Sequence, residues 1–130
     1  MSAENPVSFE TKVKAFLKAH QKIVDEFENS LSNANQFLEL ATISVEKEPL
    51  ETLSMLEQIR EIDLLGHLTR QYEEYQNVAG FFTSAEPQVE IEDLKAQLGA
   101  VLSRYQSLMH QAEGQMERIE ELLGTLRQHH

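Results

Sequence analysis

One seam of positions governs the first third of the chain. Val13, Leu17, His20, Val24, Phe27, Leu31, Ala34, Leu38, Ala41 and Val45 follow one another in alternating steps of four and three residues. A half-buried strand would alternate at every second residue, so this spacing admits only a helix that buries one stripe. Its seven-residue period is that of helices packed side by side in a coiled-coil manner. The polar run ENSLSNANQF, Glu28 to Phe37, falls in the middle of the seam. A loop there would reset the phase, yet Phe27, Leu31, Ala34 and Leu38 stay in step across it. The spacing therefore predicts one uninterrupted helix over about 8–46. Asn5 or Ser8 is placed to cap its start, with Pro6 tolerated in a first turn where its missing N–H has no role.

The sequence EKEP stops that helix, because Pro49 disfavours helical geometry at Glu48 and itself suits the first position of a new helix. The second predicted helix, over about 49–82, carries two phases. Leu53, Leu56, Ile59 and Ile62 step by three, whereas Leu65, Leu68, Tyr72, Tyr75, Ala79 and Phe82 step by three and four. The phase shift between Glu57 and Leu64 predicts local overwinding or a bend, with Gly66 just beyond it. In TSAEPQVEIED, Ser84 and Pro87 supply turn and cap chemistry, and the clustered acids suit a helix N-terminus. A third helix over about 87–127 follows on the seam Leu94, Leu98, Val101, Tyr105, Leu108, Ala112, Gln115, Ile119, Leu122 and Leu126. Gly99, Gly114 and Gly124 each weaken it by roughly 1 kcal/mol relative to alanine without breaking the period.

Both outer helices carry more apolar surface than a single seam. Helix one adds Phe16, Ile23 and Phe37, and helix three adds Leu102, Met109, Met116 and Leu123 at one-heptad intervals. A stripe of that width needs neighbours on two sides. An all-α, up-down-up bundle of three antiparallel helices, each of about 35–40 residues and ~50–60 Å long, meets the need. No period-two segment offers a sheet, and 130 residues suit one domain, 1–130, with one core. With turns near 47–48 and 85–86, His20 comes level with Tyr75, Asn29 with Gly66, and Gly66 with Tyr105. That register predicts a hydrogen bond between His20 and Tyr75. It also predicts that the small residues of ENSLSNANQF and Gly66 make room for the Tyr105 ring.

Charge narrows the partners. Twenty-two acids against eleven bases give a formal charge of -11, which repels nucleic acid and anionic lipid. The absence of cysteine excludes disulfides, thiolate zinc sites and thiol nucleophiles. The N-terminus has no basic region followed by an apolar one, and no apolar run approaches the ~18 residues of a membrane span, so the expectation is a cytoplasmic protein. Lys12, Lys14, Lys18 and Lys22 form a basic patch, expected to be balanced internally by Glu73, Glu74, Glu90, Glu92 and Asp93. Glu113, Glu117, Glu120 and Glu121, with Arg118 and Arg127, make a mainly acidic face toward the other end. Gln115 in the third seam reads as tolerated polarity or as a pin for register.

Chemistry is sparse. A phosphotransfer histidine is exposed on a helix face and followed by a lysine and a small residue, a pattern that neither His20, followed by QKIVD, nor His67, followed by LTRQY, matches. A di-iron or di-manganese bundle needs Glu-x-x-His pairs, but Leu17, Leu64 and Ser107 stand three residues before His20, His67 and His110. His110 and Glu113 give only the reverse spacing, and the terminal His129 and His130 do not define a metal site. No nucleophile triad or glycine-rich phosphate cradle is present. The expectation is a non-enzymatic protein that uses no cofactor, metal or small-molecule substrate.

What remains is contact. Val78, Phe81 and Phe82 exceed what one stripe can bury, and Met109 and Met116 suit adaptable helix binding. Phe16, Ile23, Phe37, Val78, Phe81, Phe82, Leu102, Met109, Met116 and Leu123 are thus the candidate partner-binding residues. The expected function is a protein–protein interaction module, either a homodimer or a receiver of a partner helix. The alternatives are a small acidic export or secretion chaperone shielding a client segment, a histidine-based signalling bundle, and a structural coiled-coil segment of a larger assembly.

Overall fold

The computed structural model describes residues 9–84 and 92–128, apart from the side chains of Thr83 and Ser84. Helix α1 runs unbroken from Phe9 to Ser44 and buries Val13, Leu17, His20, Val24, Leu31, Ala34, Leu38 and Ala41. The asparagine-rich run is therefore helix, as the seam requires. Behind α1 the chain turns at Glu48, and Pro49 opens α2, Pro49–Ile62. The Ser44 hydroxyl lies 2.8 Å from that of Thr52, tying the two helices across the turn.

The predicted phase shift is realised as a break. Helix α2 stops at Ile62 and α3, Leu64–Ser84, begins after one residue. That residue, Asp63, is left-handed, with φ 55° and ψ 56°. Its N–H reaches the Arg60 carbonyl at 3.2 Å, and its own carbonyl accepts from the His67 N–H at 3.1 Å. Its carboxylate accepts from the Gly66 N–H at 3.1 Å, which satisfies an otherwise orphaned donor of the first turn. Gly66 is small for this reason: a Cβ there would run into the Asp63 carboxylate. Making room for Tyr105 is not its role.

Helix α4, Glu92–Gln128, completes the bundle. Among the described residues the architecture is all-α, with three antiparallel rods, the middle one divided into α2 and α3. Rods α1 and α4 run parallel, as His20 with Tyr105, Leu31 with Gln115 and Thr42 with Arg118 show. The middle rod runs against both, since Ser44 meets Thr52, Tyr75 meets Leu98 and Arg60 meets Glu120. The first fold-back has the expected register, with the His20 and Tyr75 rings 5.0 Å apart. The second is displaced from expectation: Tyr72 meets Gln106 and Arg60 meets Glu120, so Gly66 does not oppose Tyr105. The proposed caps Asn5 and Ser8, together with Pro6, Pro87, His129 and His130, lie outside the described residues.

The interior is two clusters. The upper one gathers Val13, Leu17, Val24, Leu31, Leu68, Tyr75, Leu94, Leu98, Val101, Tyr105, Leu108 and Ala112. The lower one gathers Leu38, Ala41, Leu56, Ile119, Leu122, Leu123 and Leu126. Between them lies a polar waist, where Gln115 is buried and donates to the Leu31 carbonyl and to Asn35 Oδ1, each at 2.8 Å. The short residues of ENSLSNANQF thus sit level with the break at Asp63, where the middle rod presents a joint in place of a continuous apolar face.

Candidate interaction surface

His20 is enclosed by aromatic rings. Its Nδ1 lies 2.7 Å from the Tyr105 hydroxyl, and the Phe16 ring is 4.5 Å away. The expected bond to Tyr75 is not made, because the Tyr75 hydroxyl donates to the Leu98 carbonyl at 2.6 Å. The α4 register brings Tyr105, rather than Tyr75, to the imidazole. Burial pushes His20 below its ordinary value, against a smaller opposite pull from Glu74. Burial also pushes the Tyr105 phenol up to about 12, and pushes Tyr75 up as well. The arrangement favours neutral groups that hold helices together. His67 and His110 are exposed, and Arg70 lies 3.1 Å from His67 Nδ1. No three His, Asp or Glu side chains among the described residues converge to hold a metal ion.

Among the described residues the basic patch is not balanced as expected by Glu73, Glu74, Glu92 or Asp93, and Glu90 lies outside them. Lys14 pairs with Glu10 of its own helix at 2.8 Å, and Lys12, Lys18 and Lys22 pair with no described residue. The ion pairs that cross between rods among the described residues are Arg104 with Asp25 and Glu28, at 2.7 and 2.9 Å, and Arg60 with Glu120. The partners of Arg104 on α1 are polar neighbours of the seam, and spacing along one helix cannot reveal them.

The ten candidate contact residues do not form one surface. Phe16 and Phe82 are half-buried in an internal aromatic stack: Phe16 lies flat on Tyr75 at 5.1 Å, and Phe82 meets Phe9 and Phe16 edge-on. Leu102 and Met109 pack against the upper cluster. Leu123 is 0% exposed and belongs to the lower one, so it offers nothing to a partner. Val78 and Phe81 are 40% and 69% exposed. Ile23, Phe37 and Met116 each line a different cleft.

Among the described residues three clefts lie around the waist, and a fourth, past Ile23, Phe27, Leu64 and His67, lies above it between α1 and α3. Between α1 and α4 a polar cleft of about 480 Å³ runs past Asn35, Thr42, Gln115 and Arg118. Between α3 and α4 a more open one of about 870 Å³ is walled by glutamates. Between α1 and the joint lies a groove of about 370 Å³, with apolar walls made by Ala34, Phe37, Met55, Ile59, Ile62 and Leu64. Its rim is Ser30, Asn33 and Gln58, all uncharged. Ile62, at the mouth, is 56% exposed. Leu40 stands three residues beyond Phe37 on the same side of α1, followed by Ile43, and they are 62% and 66% exposed. None of the three is among the candidate contact residues: Ile62 belongs to the second helix's apolar series, and the signal of Leu40 and Ile43 is apolar character off the seam of α1, where no internal neighbour is due.

No family model, curated protein or solved structure matches the chain. No described helix is long and apolar enough to cross a membrane.

Proposed function

We propose that the chain is a non-enzymatic interaction module whose first partner is a second copy of itself, docked on the joint groove and the adjoining outer face of α1. The observation that carries this reading is an apolar groove with an uncharged rim on a chain of net charge -11. Two such chains repel at most approaches, because like charge keeps proteins apart. A surface edged by Ser30, Asn33 and Gln58 lets apolar walls meet without placing carboxylates opposite one another. Burial of Ile62, Leu40 and Phe37 supplies the drive, at roughly 25 cal/mol for each Å² removed from water. A two-fold contact lets the same patch serve both copies.

Light scattering coupled to size exclusion tests it. The wild-type chain is expected to run at twice its 14.9 kDa mass at micromolar concentration. A Leu40→Glu/Ile62→Glu variant is expected to run as a monomer with unchanged helix content. A wild-type chain that stays monomeric across that range would overturn the reading.

A further inference from the structure

We infer that the cleft between α3 and α4 is a docking site for a basic amphipathic helix of another protein. The inference rests on the interaction-module reading but not on self-association. The floor of the cleft is Leu65 and Met116, both half-buried, and its wall is Glu113, Glu117, Glu120 and Glu121. Met116 belongs to the heptad stripe whose neighbours Met109 and Leu123 are taken up by the upper and lower clusters. It falls between those clusters, level with the joint, so its thioether lines an open cleft. Methionine adapts its shape to an incoming apolar side chain.

The carboxylates choose the occupant. Glu120 is held by Arg60 at 3.2 Å and Glu121 by Arg118 at 3.1 Å. Glu113 and Glu117 pair with no described residue. They stand one turn apart on α4, a spacing of ~5–6 Å that matches two basic side chains one turn apart on a second helix. Covering unpaired carboxylates with apolar surface is unfavourable, so a wholly apolar helix is rejected and one that brings cations is accepted. The net charge of -11 attracts such a helix over distance and repels nucleic acid and anionic lipid. The wall comes from one helix, and no three acids converge on a metal ion. Within this chain the stripe Lys14, Lys18 and Lys22 has the right spacing, but Ala15 and Ala19 between them are too small to fill a floor of Leu65 and Met116. The occupant is therefore a foreign helix with large apolar residues beside its lysines or arginines.

The probe is a fluorescein-labelled synthetic helix of leucines flanked by lysines four residues apart, titrated with the full chain and read by anisotropy. Binding is expected to weaken about tenfold or more in Glu113→Lys/Glu117→Lys, and by less than about threefold in Glu46→Lys/Glu51→Lys, which changes the net charge equally at a remote end. A peptide with serine in place of the leucines is expected to bind about tenfold more weakly, because the apolar floor is then unfilled. The Leu40→Glu/Ile62→Glu variant is expected to bind the peptide as well as wild type, whatever its own mass. No binding, equal weakening by both charge reversals, or indifference to the leucines would overturn the proposal. Loss of the dimer mass in Glu113→Lys/Glu117→Lys would instead assign the cleft to a second copy, and would overturn it too.

Discussion

His20 holds a seam position that an aliphatic residue would fill more simply, and its neighbours explain how a histidine is accommodated there. Phe16 and the rings of Tyr75 and Tyr105 remove water, the Tyr105 hydroxyl supplies one polar partner, and Glu74 contributes an opposing charge. Because burial lowers the folded-state pKa, the unfolded chain takes up a proton more readily than the folded one. Stability is then fully present above the unfolded value of about 6.5 and falls as pH drops toward the folded value. Thermal melts between roughly pH 5 and 7 are expected to show a fall in stability on acidification that His20→Gln lacks. Comparing the two proteins cancels the contribution of the many surface carboxylates. Identical slopes would mean that the imidazole is not protected. Gln115 solves the same problem differently, donating both to backbone and to Asn35.

At the scale of the elements, the joint between α2 and α3 is the least regular feature of the fold and depends on one residue. Asp63 both ends one helix and caps the next. A left-handed residue with a Cβ is disfavoured by about 1–2 kcal/mol, and aspartate is among the few that adopt it with any frequency. Asp63→Ala loses the cap while keeping that strain, and is expected to lower unfolding free energy by roughly 1–3 kcal/mol in urea titrations, whereas Asp63→Asn stays near wild type. Glycines on the same rods separate space from propensity. Gly99→Ala meets open space and is expected to stabilise by about 1 kcal/mol. Gly66→Ala gains the same propensity but displaces the capping carboxylate, so its net effect is expected to lie near zero. Equal stabilisation by both would show that the cap is dispensable.

Across the whole molecule, α1 and α4 thread both apolar clusters, while the middle rod contributes a different helix to each. Long continuous rods couple the halves, so the two clusters are expected to unfold as one unit despite the polar waist. All three tyrosines, Tyr72, Tyr75 and Tyr105, lie in the upper half, and the chain has no tryptophan. Tyrosine fluorescence therefore reports that half alone. Leu123→Ala, in the lower half, removes a fully buried side chain, and such truncations destabilise by about 2–5 kcal/mol. It is expected to shift the tyrosine-detected urea midpoint as far as the midpoint seen by circular dichroism. A tyrosine transition left in place would mean that the halves unfold separately.

The unbroken α1, the stop at Pro49 and the heptad seam of α4 were legible in the sequence, because each follows from local periodicity or from the fixed geometry of proline. The approximate site of the joint was legible too, as a shift of phase between Glu57 and Leu64. The meeting of His20 with Tyr105, the burial of Leu123, the exposure of Leu40 and Ile62 and the clefts around the waist were not. They depend on how far α4 slides along α3 and on which way each rod is rotated. Those offsets are set by the packing of side chains from three rods at once, so the repeat along any one helix specifies a buried stripe without specifying what meets it.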